Sequence, residues 1–113
     1  MSEIESLARK FDAAIEAYNS QRLRWVLGIS QVQLGIDETR YLDFVNTIMR
    51  EEIERHMIIQ ALRERGELTV LEISKLTSIA PSQILRHIIA LRKNGVVTEA
   101  NEKNYEYTYK LLK

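Results

Sequence analysis

The chain has 113 residues, 45% hydrophobic and 28% charged, with no cysteine. That is material for one small core, and it excludes disulfides, thiolate metal sites and thiol catalysis. The formal net charge is +0, so there is no global basicity of the kind that marks a nucleic-acid binder. The charge is uneven, however: residues 1–65 hold 9 Lys/Arg against 11 Asp/Glu, and residues 66–113 hold 7 against 5. The C-terminal half therefore carries the positive excess.

No secretory pattern opens the chain. Its oiliest run, WVLGISQVQLGI at 25–36, is shorter than the roughly 20 apolar residues of a membrane span. A cytoplasmic protein without membrane contact is expected.

The first predicted element is an amphipathic helix. Ile4, Leu7, Phe11, Ile15 and Tyr18 recur at helical steps and form one stripe. Ser2 and Glu5 stand at capping-box spacing. A second helix carries Trp25, Ile29, Val32 and Ile36, with Gly35 suited to its end. Asp37 suits the N-cap of a third. In that third helix Leu42, Val45, Met49 and Ile53 line one face, widened by Tyr41, Phe44 and Ile48. The periodicity fits one rod to Gly66, about 28 residues and about 42 Å long, and equally a break near residues 50–52.

Shorter elements follow Gly66. Thr69 and Glu72 form a second capping-box signature. The helix they open is short, because TSIAPS arrives at 77–82. Pro81, the only proline, suits the first turn of a helix, where its missing N–H costs nothing. A helix over 81–94 is predicted to stop at Gly95. Tyr105, Tyr107, Tyr109 and Leu111 then alternate at strand period, and NEKN at 101–104 reads as a hairpin tip.

From residue 52 the order is helix, short extended piece, short helix, turn, longer helix, β-hairpin. That is the order of a winged helix-turn-helix. Its core is expected to hold Ile58, Leu62, Leu68, Ile73, Leu76, Ile79, Ile84, Ile88, Leu91 and Val97. The pieces EISKLTSI, RHIIAL and GVV resemble the DNA-binding half of the MarR-type and ArsR-type regulators. The resemblance covers residues 52 to 112. The expected fold is mainly α with a small β-hairpin wing: an N-terminal helical region over 1–51, then a winged helix-turn-helix over 52–113.

The resemblance implies that helix 81–94 lies in the major groove of double-stranded DNA. Projected on a helix, Ile84, Ile88 and Leu91 point inward. Ser82 then suits a phosphate or base, Gln83 adenine and Arg86 guanine. His87, Arg92 and Lys93 suit phosphates, as does Lys103 in the wing, where Glu102 offsets it. Leu85 and Ile89 depart from the family's polar pattern. They fit a thymine methyl group, a protein surface, or the core if the helix is rotated. The tyrosines at 105, 107 and 109 are expected to pack within the hairpin.

Other chemistry is sparse. His56 and His87 lie on separate helices without a metal-ligand spacing, His56 being expected at the surface. The glycines form no phosphate loop, and the carboxylates read as solvated helix faces. No enzyme activity, cofactor or metal is expected. The N-terminal helices offer aromatic area to a homodimer interface, or to an effector pocket. The preferred function is a dimeric DNA-binding transcriptional regulator. The alternative is a winged-helix protein-interaction module.

Overall fold

The computed structural model describes residues 10, 12–17, 19–20 and 37–112. The capping box at Ser2 and Glu5, most of the first apolar stripe and the helix around Trp25 lie outside the described residues. Residues 12–17 are helical. Here Ala13 and Ala17 are buried while Ile15 is 50% exposed, so Ile15 does not take the inward position its spacing suggested.

Helix α1 runs unbroken over Glu38–Arg65, 28 residues, which settles the question of a break. Asp37 caps it by accepting from the Arg40 amide at 2.8 Å. Gly66, at φ 88, ends it with its N–H on the Leu62 carbonyl, a left-handed turn that glycine makes at little cost. The expected boundary at 51/52 falls inside this helix. Its first half gathers Val45 and Ile48 with Tyr41 and Met49. Leu42 and Phe44, expected on the same face, stay 51% and 37% exposed.

The second half of α1 supports the C-terminal half of the chain. There β1 (Leu68–Thr69), α2 (Val70–Thr77), α3 (Pro81–Lys93), β2 (Val97–Lys103) and β3 (Glu106–Leu111) follow in order. The sheet is antiparallel in the order β1-β3-β2. One core joins these elements: Ile58, Ala61, Leu62, Leu68, Ile73, Ile79, Ile84, Ile88, Leu91 and Val97. Every expected core residue except Leu76 is buried, and Leu76 packs against the cluster half-buried. Fully burying one such aliphatic side chain contributes roughly 1.5–3 kcal/mol, so this cluster sets how α3 sits on the domain.

Local chemistry fixes the joints. The capping box at α2 is formed in both directions, Thr69 N–H to Glu72 Oε1 at 2.9 Å and Glu72 N–H to Thr69 Oγ1 at 3.2 Å. In the turn before α3, Ser74 Oγ donates to the Ile79 carbonyl at 2.6 Å. Thr77 Oγ1 donates to the Ile73 carbonyl at 2.8 Å and accepts from the Ile79 amide at 3.3 Å. Buried Thr77 is thus satisfied, and the angle between α2 and α3 is held by hydrogen bonds as well as packing.

The wing differs from expectation at its tip. Residues 101–103 belong to β2, and the chain reverses at Asn104 and Tyr105, with φ 53 and 67. Two successive left-handed residues make the tight hairpin turn whose twist matches that of the strands. The pairing passes from Glu99↔Tyr109 to Glu102↔Tyr107, so β2 holds one extra residue, a bulge. Thr108 stands opposite it, accepting from the Asn101 amide at 3.0 Å and donating to Glu67 Oε1 at 2.8 Å. Asn101 Nδ2 donates to the same Glu67 oxygen at 2.8 Å.

Candidate nucleic-acid interface

Helix α3 begins with Pro81 at its first turn and has no acidic residue there. Ile84, His87, Ile88 and Leu91 are its buried residues. Ser82, Gln83, Leu85, Arg86, Ile89, Arg92 and Lys93 remain exposed. At about 100° per residue, Ser82, Arg86, Ile89 and Lys93 fall along one line of the helix. Leu85 flanks that line toward the wing and Gln83 flanks it toward α1.

Each flank is a cleft. On the wing side Leu71, Pro81, Ser82, Leu85, Tyr105 and Tyr107 line a cavity of about 460 Å³. On the other side Arg50, Glu54 and Arg55 of α1 face Gln83, Arg86 and His87 across a cavity of about 320 Å³. Arg50 is a cation that sequence reasoning missed. Only the crossing of α1 and α3 brings it to Arg86, and periodicity within either helix does not signal that crossing.

The cations differ in their availability. Arg86 donates from Nη1 to Gln83 Oε1 at 3.4 Å. Neither Arg86 nor Lys93 forms an ion pair among the described residues. Arg92 is paired through Nε with Glu99, and Lys103 Nζ lies 2.9 Å from Glu72 Oε2. Both of these cations are paired within the domain, at its exposed surface. The Thr69 amide and then Lys103 hold the Glu72 carboxyl below its ordinary value.

His87 is a correction. It is 5% exposed, with Nε2 at 2.8 Å from Glu54 Oε1 and Nδ1 accepting from Arg55 Nε at 3.4 Å. It pins α3 to α1, its ring lying on the buried side of the helix rather than on the exposed face. Its polarity suggested the surface, but its position in the helix places it on the side of Ile84 and Leu91. Its neighbours on α1 satisfy both ring nitrogens. His56, expected at the surface, is half-buried, with Nδ1 3.4 Å from Glu16 Oε2 and Nε2 3.8 Å from Glu52 Oε2. Glu52 is 6% exposed, so not every carboxylate of α1 is on a solvated face.

Leu85 and Ile89 are 46% and 61% exposed. They are not core, and α3 is not rotated to hide them. Among the described residues no helix is long and apolar enough to cross a membrane.

Residues 54–99 match the sequence model of the family described as bacterial regulatory protein, arsR family. Among solved structures the chain is similar to the Zalpha domain from Carassius auratus PKZ in complex with Z-DNA. The identity is 28% and the TM-score 0.51, over 56% of this chain and 98% of that one. It is also similar to the apo-Zalpha domain of zebrafish PKZ, at 26% identity and TM-score 0.53, over 57% and 98%. No curated protein matches the chain. The C-terminal half is thus a winged helix-turn-helix domain, and its segment 54–99 matches the arsR-family model.

Proposed function

We propose that the chain is a DNA-binding transcriptional regulator that lays α3 in the major groove. The observation that carries this reading is the free face of α3. Ser82, Gln83, Arg86 and Lys93 are exposed along it, while Ile84, Ile88 and Leu91 anchor the opposite face in the core. A helix so held presents its first residues to base edges without bending. Arg86 suits guanine and Gln83 adenine. Lys93, with Arg50 beside the helix, suits phosphates. Arg92 and Lys103 join only if they leave Glu99 and Glu72. The arsR-type match and the likeness to a domain solved with Z-DNA support the DNA-binding part of this reading.

We further propose a homodimer formed through the N-terminal helices, since two copies read a palindrome with two reading helices. The protein would act as a binder without catalysis, in the cytoplasm. The test is fluorescence anisotropy of the full chain with a duplex from its own upstream region, at several salt concentrations. Binding is expected to weaken steeply with salt as counterions are released, and to fall in Arg86→Ala with Lys93→Ala. A folded protein that binds no duplex at low salt overturns the reading.

One observation favours a second reading, a protein-interaction module. Leu71, Leu85 and Tyr107, each about half exposed, gather at one cleft. On that reading Leu85→Asp with Ile89→Asp abolishes a protein complex or self-association and leaves the domain folded.

A further inference from the structure

We infer that Leu85 and Ile89 read the C5-methyl group of pyrimidines in the major groove, so that thymine, or cytosine methylated at C5, is a required feature of the site. The inference rests on the proposed DNA-binding function and adds what the helix selects.

Ile89 is 61% exposed and Leu85 46%. They stand four residues apart, about 6 Å along the axis, which spans about two base steps at 3.4 Å each. Ile89 lies on the line of Ser82, Arg86 and Lys93, so nothing docks on this face without covering it. Covering an aliphatic group is favourable only against another apolar group. The major-groove edges of guanine, adenine and unmodified cytosine offer hydrogen-bond donors and acceptors, and thymine alone adds a methyl group. A 5-methylcytosine presents the same methyl at the same place. Gln83, six residues before Ile89 and on the α1 side of the helix, suits an adenine, which agrees with a site containing T·A pairs. Around Ile89 the surroundings favour a polyanion over a protein: Arg86 and Lys93 flank it along the helix without an ion pair among the described residues, and the first turn of α3 has no acid, the one carboxylate lining the wing-side cleft beside Leu85 being Glu106.

The experiment begins with selection of duplexes by the full chain from a random pool. The recovered site is then resynthesised with deoxyuridine for thymidine, and separately with 5-methyldeoxycytidine for deoxycytidine. Affinities are measured by anisotropy at one salt concentration, for the native chain and for Leu85→Ala/Ile89→Ala. Both residues are exposed, so the variant is expected to keep the native thermal melt. If thymine is the source, each uracil under the two side chains weakens binding about fourfold, the worth of one buried methyl-sized group, and the variant binds both duplexes alike. If methylated cytosine is the source, the 5-methyl duplex binds tighter by a similar factor, again only to the native chain.

Enrichment of a site with no response to either change overturns the methyl reading and leaves DNA binding standing. A uracil effect of equal size in the variant also overturns it, because the methyl then acts through duplex shape. Failure to enrich any duplex overturns the proposed function itself. In that case a change of oligomeric state in the variant would identify a protein as the occupant.

Discussion

Glu72 Oε2 lies 2.9 Å from Lys103 Nζ, while its other oxygen closes the first turn of α2 on the Thr69 amide. One carboxylate therefore caps a helix and ties down the wing's lysine. Both side chains are substantially exposed, 36% and 54%, so the ion pair itself is worth little and the cap is the larger contribution. Glu72→Ala is expected to lower stability by about 1 kcal/mol in urea unfolding. It also releases Lys103. The variant should then bind duplex more tightly, with the slope of log K against log salt steeper by about 0.9 for one added phosphate contact. A less stable protein that binds DNA better is an outcome that simple damage to the fold does not produce.

The same carboxylate gives a pH dependence. Glu72 is held below the ordinary 4.5 by the Thr69 amide and Lys103, and Glu67 by the side chains of Asn101 and Thr108. A carboxylate whose folded pKa is depressed binds its proton more readily in the unfolded chain. Its contribution is complete above the unfolded value and is lost as the pH falls through the folded one. Stability should decline below about pH 4.5, and the decline should be shallower in Glu67→Gln/Glu72→Gln. Urea midpoints over pH 2.5–6 measure it, and parallel curves for the two proteins would exclude these carboxylates as the cause.

Much of this architecture was legible in residues that act locally. Asp37, the Thr69/Glu72 pair, Pro81 and the stops at Gly66 and Gly95 each impose their geometry on the next few peptide groups. The core from Ile58 to Val97 was legible because burial follows helical and strand periods. What was not legible depends on which helix crosses which. His87 looked like a surface residue until Glu54 and Arg55 of α1 were found opposite it. Arg50 looked remote until the same crossing set it across a cleft from Arg86. The pairing of Lys103 with Glu72 and of Arg92 with Glu99 spans separate elements, and composition alone counted those cations as free. Leu85 and Ile89 were ambiguous because periodicity fixes a face only to within about a residue, and the outward face of α3 is itself partly oily.

The placement of His87 separates stability from binding. Removing its ring leaves a cavity between α1 and α3 and strips Glu54 of its 2.8 Å partner. His87→Ala is expected to cost about 2–3 kcal/mol, the range for losing a buried hydrogen-bonded group together with some packing. Below its melting temperature the folded variant should keep the native salt slope, because no phosphate contact is lost. Arg86→Ala should do the reverse, with stability within about 0.5 kcal/mol of native and weaker binding. A salt slope reduced in His87→Ala would return that residue to the interface.

The wing tip offers a stabilising substitution. Asn104 and Tyr105 occupy the two left-handed positions of the hairpin turn, at φ 53 and 67. Asparagine tolerates this region, and the second position favours glycine. A tyrosine there places its Cβ against its own backbone at a cost of about 1–2 kcal/mol. The residue is fully exposed and does not pack within the hairpin as its strand alternation suggested, so no burial offsets that cost. Tyr105→Gly removes the strain and returns part of the gain through the greater entropy of the unfolded chain, about 0.4–1 kcal/mol. The net is a stabilisation of up to about 1 kcal/mol, read as a rise of a few degrees in Tm for a domain of this size. A lower Tm would mean that the backbone at Tyr105 stores less strain than the unfolded chain of the glycine variant gains in entropy.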